Sequence, residues 1–218
     1  MKNRTIIHVG LAKTGTTFLQ TEIFPKLHIN YSRNILLTDI DIKPGINLLS
    51  NESLSISIPH YVPRHTDRMK ILEYIKRLFP DGEIMIGMRQ LNDSLKNSYY
   101  SQYLRNGGTL KKDAYLKKYE EYFTNYIHYL RAIEKKFDNV FSYTFEEFKD
   151  NQKQTIKNIC DFLGQPVPKY NLKIVHSSYP PRQQETKRKL NYLCKSMFRK
   201  KGIPIGILNK TLEDIRDG

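Results

Sequence analysis

The chain has no tryptophan and only two cysteines, Cys160 and Cys194, in 218 residues. No CxxC or Cys/His ligand spacing occurs, which argues against a zinc site and against a disulfide framework. No run approaches the ~20 consecutive apolar residues of a membrane span. Met1-Lys2-Asn3-Arg4 leads straight into an apolar segment without a leader-like pattern. These absences predict a cytoplasmic chain. Acidic residues are the other shortage: 22 Asp and Glu face 36 Lys and Arg, a net charge of +14. A surface this basic attracts anions, whether nucleic acid, membrane or acidic small molecules. The excess is heavy late, with ten basic against four acidic residues over 180–218. A chain of this length buries roughly 70–75% of its unfolded surface and needs no covalent staple. We expect one domain over 1–218, with 180–218 as a basic helical extension.

Short apolar, β-branched runs alternate with amphipathic ones. Strands are predicted over residues 4–10, 46–50, 83–88 and 140–143, with a further short one at Ile35-Leu36-Leu37. Helices are predicted over 16–27, 67–79, 92–104, 112–136, 151–163 and 185–201. Within 112–136, Tyr115, Tyr119, Tyr122, Tyr126, Tyr129 and Ile133 step by 4, 3, 4, 3, 4, a spacing that reads as one core-facing stripe. Strand–helix alternation of this kind makes an α/β fold with a parallel sheet of about four to five strands flanked by helices.

Three polar clusters fall at predicted strand ends, where open parallel sheets bind their ligands. The first, Lys13-Thr14-Gly15-Thr16-Thr17, joins a strand to a helix. That arrangement aims backbone N–H groups at a phosphate, and Lys13 adds a full charge. A triphosphate loop has its lysine directly after the second glycine. Here Gly15 is followed by Thr16, and the lysine stands two residues before it. The second cluster is Ser50-Asn51-Glu52-Ser53, whose Glu52 could act as a general base. His60 and His65, in a proline-containing loop, are alternatives for that role. The third cluster starts with Arg89 and continues into a helix bearing Asn97 and Ser98. An arginine leaving a strand can clamp a second phosphate with its planar donor fork.

Lys-Thr-Gly-Thr-Thr after a strand resembles the 5′-phosphosulfate loop of sulfotransferases that use 3′-phosphoadenosine-5′-phosphosulfate (PAPS). Arg89 with a serine about two helical turns on resembles that family's 3′-phosphate element. The family places the serine eight residues after the arginine. Here Asn97 holds that position and Ser98 follows it, so either is a candidate. The resemblance implies a three-layer, P-loop-NTPase-like architecture and sulfuryl transfer to a hydroxyl, leaving 3′,5′-adenosine bisphosphate without a metal. It implies dual service for Lys13, on the phosphosulfate and on the breaking S–O bond. A late Arg-Lys-Gly loop of the family is similar to Arg199-Lys200-Lys201-Gly202, which would touch the 3′-phosphate. Tyr143-Thr144-Phe145-Glu146 is similar to a Tyr-Glu segment read as structural. The Ser-Asn-Glu segment and Tyr-Tyr-Ser-Gln-Tyr…Gly-Gly are most like bacterial enzymes acting on carbohydrates or glycolipids. That implies a nucleotide donor and a small-molecule, glycan or glycolipid acceptor, with no nucleic acid and with peripheral contact to an anionic membrane. The rival readings are a P-loop-like nucleotide kinase and a basic nucleic-acid-binding protein.

Overall fold

A computed structural model describes residues 3–11, 13–33, 40–54, 65–90, 92–120, 126–171 and 180–201. Five strands form one all-parallel sheet in the order β2-β3-β1-β4-β5. They are β1 (Arg4–His8), β2 (Asn30–Arg33), β3 (Ile46–Ser50), β4 (Glu83–Met88) and β5 (Val140–Thr144). Helix α1 is composite. It has an α-wound start at Thr16–Phe18, a π-wound middle at Leu19–Ile23 and a 3-10 close at Phe24–Lys26. The other helices are α2 (His65–Leu78), α3 (Asp93–Arg105), α4 (Lys112–Lys118), α5 (Tyr126–Lys136), α6 (Phe145–Asp150), α7 (Gln152–Phe162) and α8 (Pro181–Lys201).

The described residues fall into two compact units. The first comprises 1–91 with 121–176, and the second 92–120 with 177–218. The first unit holds the sheet, with apolar cores on both of its faces. Ile6, Leu48 and Met85 pack with Phe18, Leu19 and Ile23 of α1 and with Ile156 and Ile159 of α7. Ile7, Leu49, Ile84 and Ile86 pack on the opposite face with Leu72 and Ile75 of α2 and Tyr129 and Ile133 of α5. Neighbouring residues of one strand thus point into different cores, which is why β1, β3 and β4 read as unbroken apolar runs. Each such side chain contributes about 1.5–3 kcal/mol by leaving water. Arg4 makes a two-pronged ion pair to Glu83 at 2.6 and 2.7 Å, pinning the start of β1 to β4. Cys160 is buried in the first core.

The second unit is helical. Tyr100, Tyr103 and Tyr115 cluster, with centroids 4.6 Å apart for Tyr103 and Tyr115. The Tyr103 hydroxyl accepts from the Thr109 and Leu110 N–H groups, both at 3.0 Å. Asn191 of α8 donates to the carbonyls of Leu104 and Gly108 at 2.7 and 2.8 Å. Gln184 of α8 donates to Ser101.

Two expectations need correction. The single helix over 112–136 is broken, because α4 ends at Lys118 with a turn at Tyr119, and α5 starts at Tyr126. Tyr115 belongs to the ring cluster of the second unit, whereas Tyr129 is buried under the sheet of the first. Strand β2 occupies residues 30–33, where no strand was expected, while Ile35-Leu36-Leu37 lies outside the described residues.

Candidate functional site

Strand β1 is the point where the sheet order reverses: β2 and β3 lie to one side, β4 and β5 to the other. The crevice beyond the C-terminal end of such a strand is where open α/β sheets take ligands. The chain leaves β1 while still hydrogen-bonded to both neighbours. Val9 and Leu11 donate to the carbonyls of Met85 and Gly87 at 3.1 and 3.2 Å, and Asn51 donates to the His8 carbonyl at 3.0 Å. The turn that follows is therefore held by β3 and β4 before α1 begins.

Within the turn the backbone is unusual. Lys13 has φ 70°, the one non-glycine residue with a positive φ among those described, and Gly15 has φ 88°. Left-handed residues alternating with ordinary ones turn successive N–H groups into a concavity that suits an anion. A lysine there is strained, by about 1–2 kcal/mol, and its carbonyl is held by Arg89, whose Nη1 donates to it at 3.0 Å. The Arg89 guanidinium also lies over the Phe145 ring, 4.1 Å from its centroid. The cations at the ends of β1 and β4 are thus joined through the loop backbone.

Two glycines make room for this packing. A Cβ on Gly10 would stand 2.9 Å from Thr16 Oγ1 and 3.4 Å from Glu52 Cβ. A Cβ on Gly15 would stand 2.9 Å from the Phe148 ring. The buried Thr14 hydroxyl donates to the Leu11 carbonyl at 2.6 Å, closing the turn on itself. Thr16 Oγ1 lies 3.3 Å from Thr14 Oγ1, and Thr17 is partly exposed on the first turn of α1.

Glu52 opens a short 3-10 turn, Glu52–Leu54, directly after β3. Burial pushes its carboxyl above the usual carboxylate range, and the positive charges of Lys13 and then Arg33 pull against that rise. Arg33 sits at the C-terminal end of β2, in register with Ser50. It escaped the sequence reading because β2 itself was not predicted. Lys13, Arg33, Glu52 and Arg89 therefore come from four strand ends of one sheet.

The remaining sequence candidates lie elsewhere. Asn97 and Ser98 are on α3 of the second unit, where the Ser98 hydroxyl donates back to the Ser94 carbonyl at 3.0 Å. Arg199, Lys200 and Lys201 fall on the last turn of α8. His60 and Gly202 lie outside the described residues.

The comparisons with known proteins agree with this architecture. A sulfotransferase family model matches residues 33–169, more than half of the chain. The chain belongs to the sulfotransferase family. The match includes Glu52 and Arg89, while the Lys13 loop precedes it. Among solved structures, a sulfotransferase from Alicyclobacillus acidocaldarius is similar with a TM-score of 0.55 and 16% identity. The alignment covers 88% of this chain and 93% of that one. At such identity the likeness concerns the fold, a parallel sheet between helices. No curated protein sequence matches the chain.

Proposed function

We propose that this sulfotransferase takes its sulfuryl group from PAPS and delivers it to a hydroxyl of a carbohydrate or glycolipid. The observation that carries the reading is the pairing of Lys13 and Arg89 through one loop carbonyl, near the half-buried Glu52. A donor with phosphate at both ends needs two cationic grips, and a single-phosphate ligand does not. The loop fits the phosphosulfate end: it offers a lysine and the left-handed backbone at Lys13 and Gly15 that suits an anion-binding turn.

In this reading Lys13 and the N–H groups of Gly15, Thr16 and Thr17 bind the 5′-phosphosulfate. Arg89 binds the 3′-phosphate, and the sequence supplies Ser98 or Asn97 as a second donor for it. PAPS contributes the activated sulfuryl group. Glu52 takes the acceptor proton, and its raised pKa makes it a stronger base than an exposed carboxylate. Lys13 stabilises negative charge on the leaving oxygen, a contribution of about 3–4 kcal/mol for a comparable donor. The rival kinase reading is disfavoured by the position of Lys13 ahead of Gly15.

Calorimetric titration with 3′,5′-adenosine bisphosphate, set against ATP with Mg²⁺, tests the proposal. Tight binding of the first, lost in Arg89→Ala, is the expected outcome. Preference for the second would return the protein to the kinase reading. Ser98→Ala and Asn97→Ala in the same titration separate the two candidates on α3.

A further inference from the structure

Beneath the loop runs a buried chain of polar side chains that the proposed chemistry does not use directly. Arg33 Nε donates to Gln20 Oε1 at 3.2 Å. Gln20 Nε2 reaches Ser50 Oγ at 2.9 Å. Ser50 Oγ lies 2.8 Å from His8 Nδ1, and His8 Nε2 lies 3.5 Å from the Tyr143 hydroxyl. Tyr143 is hydrogen-bonded to the side chains of Thr14 and Thr16. Gln20, Ser50, His8, Tyr143, Thr14 and Thr16 are all buried. The chain crosses from the end of β2 through α1, β3, β1 and β5 to the phosphate loop.

The Arg33 end sets the direction of its protons. At the loop, the Leu11 carbonyl only accepts, so the Thr14 proton points at it. The Thr14 oxygen is then left to accept, from Tyr143 or from Thr16. Burial drops the pKa of His8 to about 3, so the ring carries one proton; placed on Nε2, it faces the Tyr143 hydroxyl and leaves Nδ1 to Ser50. Nδ1 is then bare and accepts from Ser50. The Ser50 oxygen accepts from the Gln20 amide, whose carbonyl accepts from Arg33. A guanidinium only donates, so this end orients the Gln20 amide toward Ser50.

We propose that Gln20, Ser50, His8 and Tyr143 are positioning residues, a hydrogen-bond chain from Arg33 that holds Thr14 as the brace of the anion loop. This rests on the PAPS reading. Thr14 is thereby a structural member of the loop, and its hydroxyl is not a ligand donor. The 3.5 Å step from His8 to Tyr143 is the weakest link, so removing Tyr143 affects the loop more than removing groups upstream.

Two probes separate a loop effect from a global one: 3′,5′-adenosine bisphosphate, which has a 5′-phosphate, and adenosine 3′-monophosphate, which has none. Tyr143→Phe should weaken the first roughly fivefold to tenfold, as one lost buried hydrogen bond implies, and leave the second unchanged. Ser50→Ala should show a smaller loss of the same kind. Equal weakening of both probes, or no change in either, overturns the proposal. Imidazole ¹⁵N spectra give a readout that needs no ligand. A neutral, Nε2-protonated His8 in the wild type is expected, with its signals moved in Tyr143→Phe. An Nδ1-protonated or charged ring overturns the chain. If the wild type binds neither probe, the PAPS reading fails, and the nitrogen spectra alone then decide whether the chain exists.

Discussion

Glu52 shows how position makes an ordinary residue useful. Its burial raises the carboxyl pKa, while Lys13 and Arg33 limit the rise. The sign of two consequences follows. Removing Lys13 removes a downward pull, so the Glu52 midpoint should move up in Lys13→Ala, as read by carbon NMR of the labelled carboxyl. A downward move would show that Lys13 does not face Glu52. A base must also be ionised, so the transfer rate should rise with pH through that midpoint and be lost in Glu52→Gln. The sequence led to Lys13, Glu52 and Arg89 because each follows a strand predicted from apolar runs. It did not lead to Arg33, His8 or Tyr143 as partners of the loop. His8 looked like one polar interruption of a buried strand, and its meaning depends on Ser50 and Tyr143, which lie far away in sequence.

Elements were legible where a single unit buries the whole element, on one face for the helices and on both for β1, β3 and β4. Helices α2, α3 and α7 and strands β1, β3, β4 and β5 lie close to their expected spans. The 112–136 stripe failed because two cores share one period. Tyr115 and Tyr129 serve different units, yet the 4, 3, 4 spacing carries through both. Nothing local distinguishes a turn at Tyr119 from another helical turn. Strand β4 illustrates a constraint visible only in three dimensions. A Cβ on Gly87 would stand 2.5 Å from Thr14 Oγ1 and 2.6 Å from the Tyr143 hydroxyl. Gly87→Ala should therefore overpack this point and cost about 1–3 kcal/mol, seen as a lower melting temperature. It should also weaken 3′,5′-adenosine bisphosphate binding. An alanine variant with wild-type melting and binding would mean that Thr14 and Tyr143 move apart without consequence.

For the whole molecule, the basic balance is the property with the widest reach. On α8, Leu190, Tyr192 and Leu193 are exposed among Lys187, Lys189 and Lys195. We propose that this helix rests on an anionic membrane when the acceptor is a glycolipid, with each nearby basic residue worth about 1 kcal/mol. Cosedimentation with phosphatidylserine vesicles at low salt, abolished at about 1 M salt where screening acts within ~3 Å, is the expected result. Equal pelleting with uncharged phosphatidylcholine vesicles would exclude it.

The central place of β1 also governs when the site comes into being. Ile6 pairs with Leu48 on one side and Glu83 on the other, so the strand waits for partners far downstream. Parallel pairing of such distant segments is slow, since the intervening chain must close first. On the ribosome, the N-terminal loop is made early and shaped late. A nascent chain that has not yet emerged past Gly87 lacks the carbonyl that holds Leu11, and Arg89 beyond it is what holds Lys13. In the PAPS reading, donor binding is thus a property that synthesis delivers only after β4, however early the Lys13 loop appears.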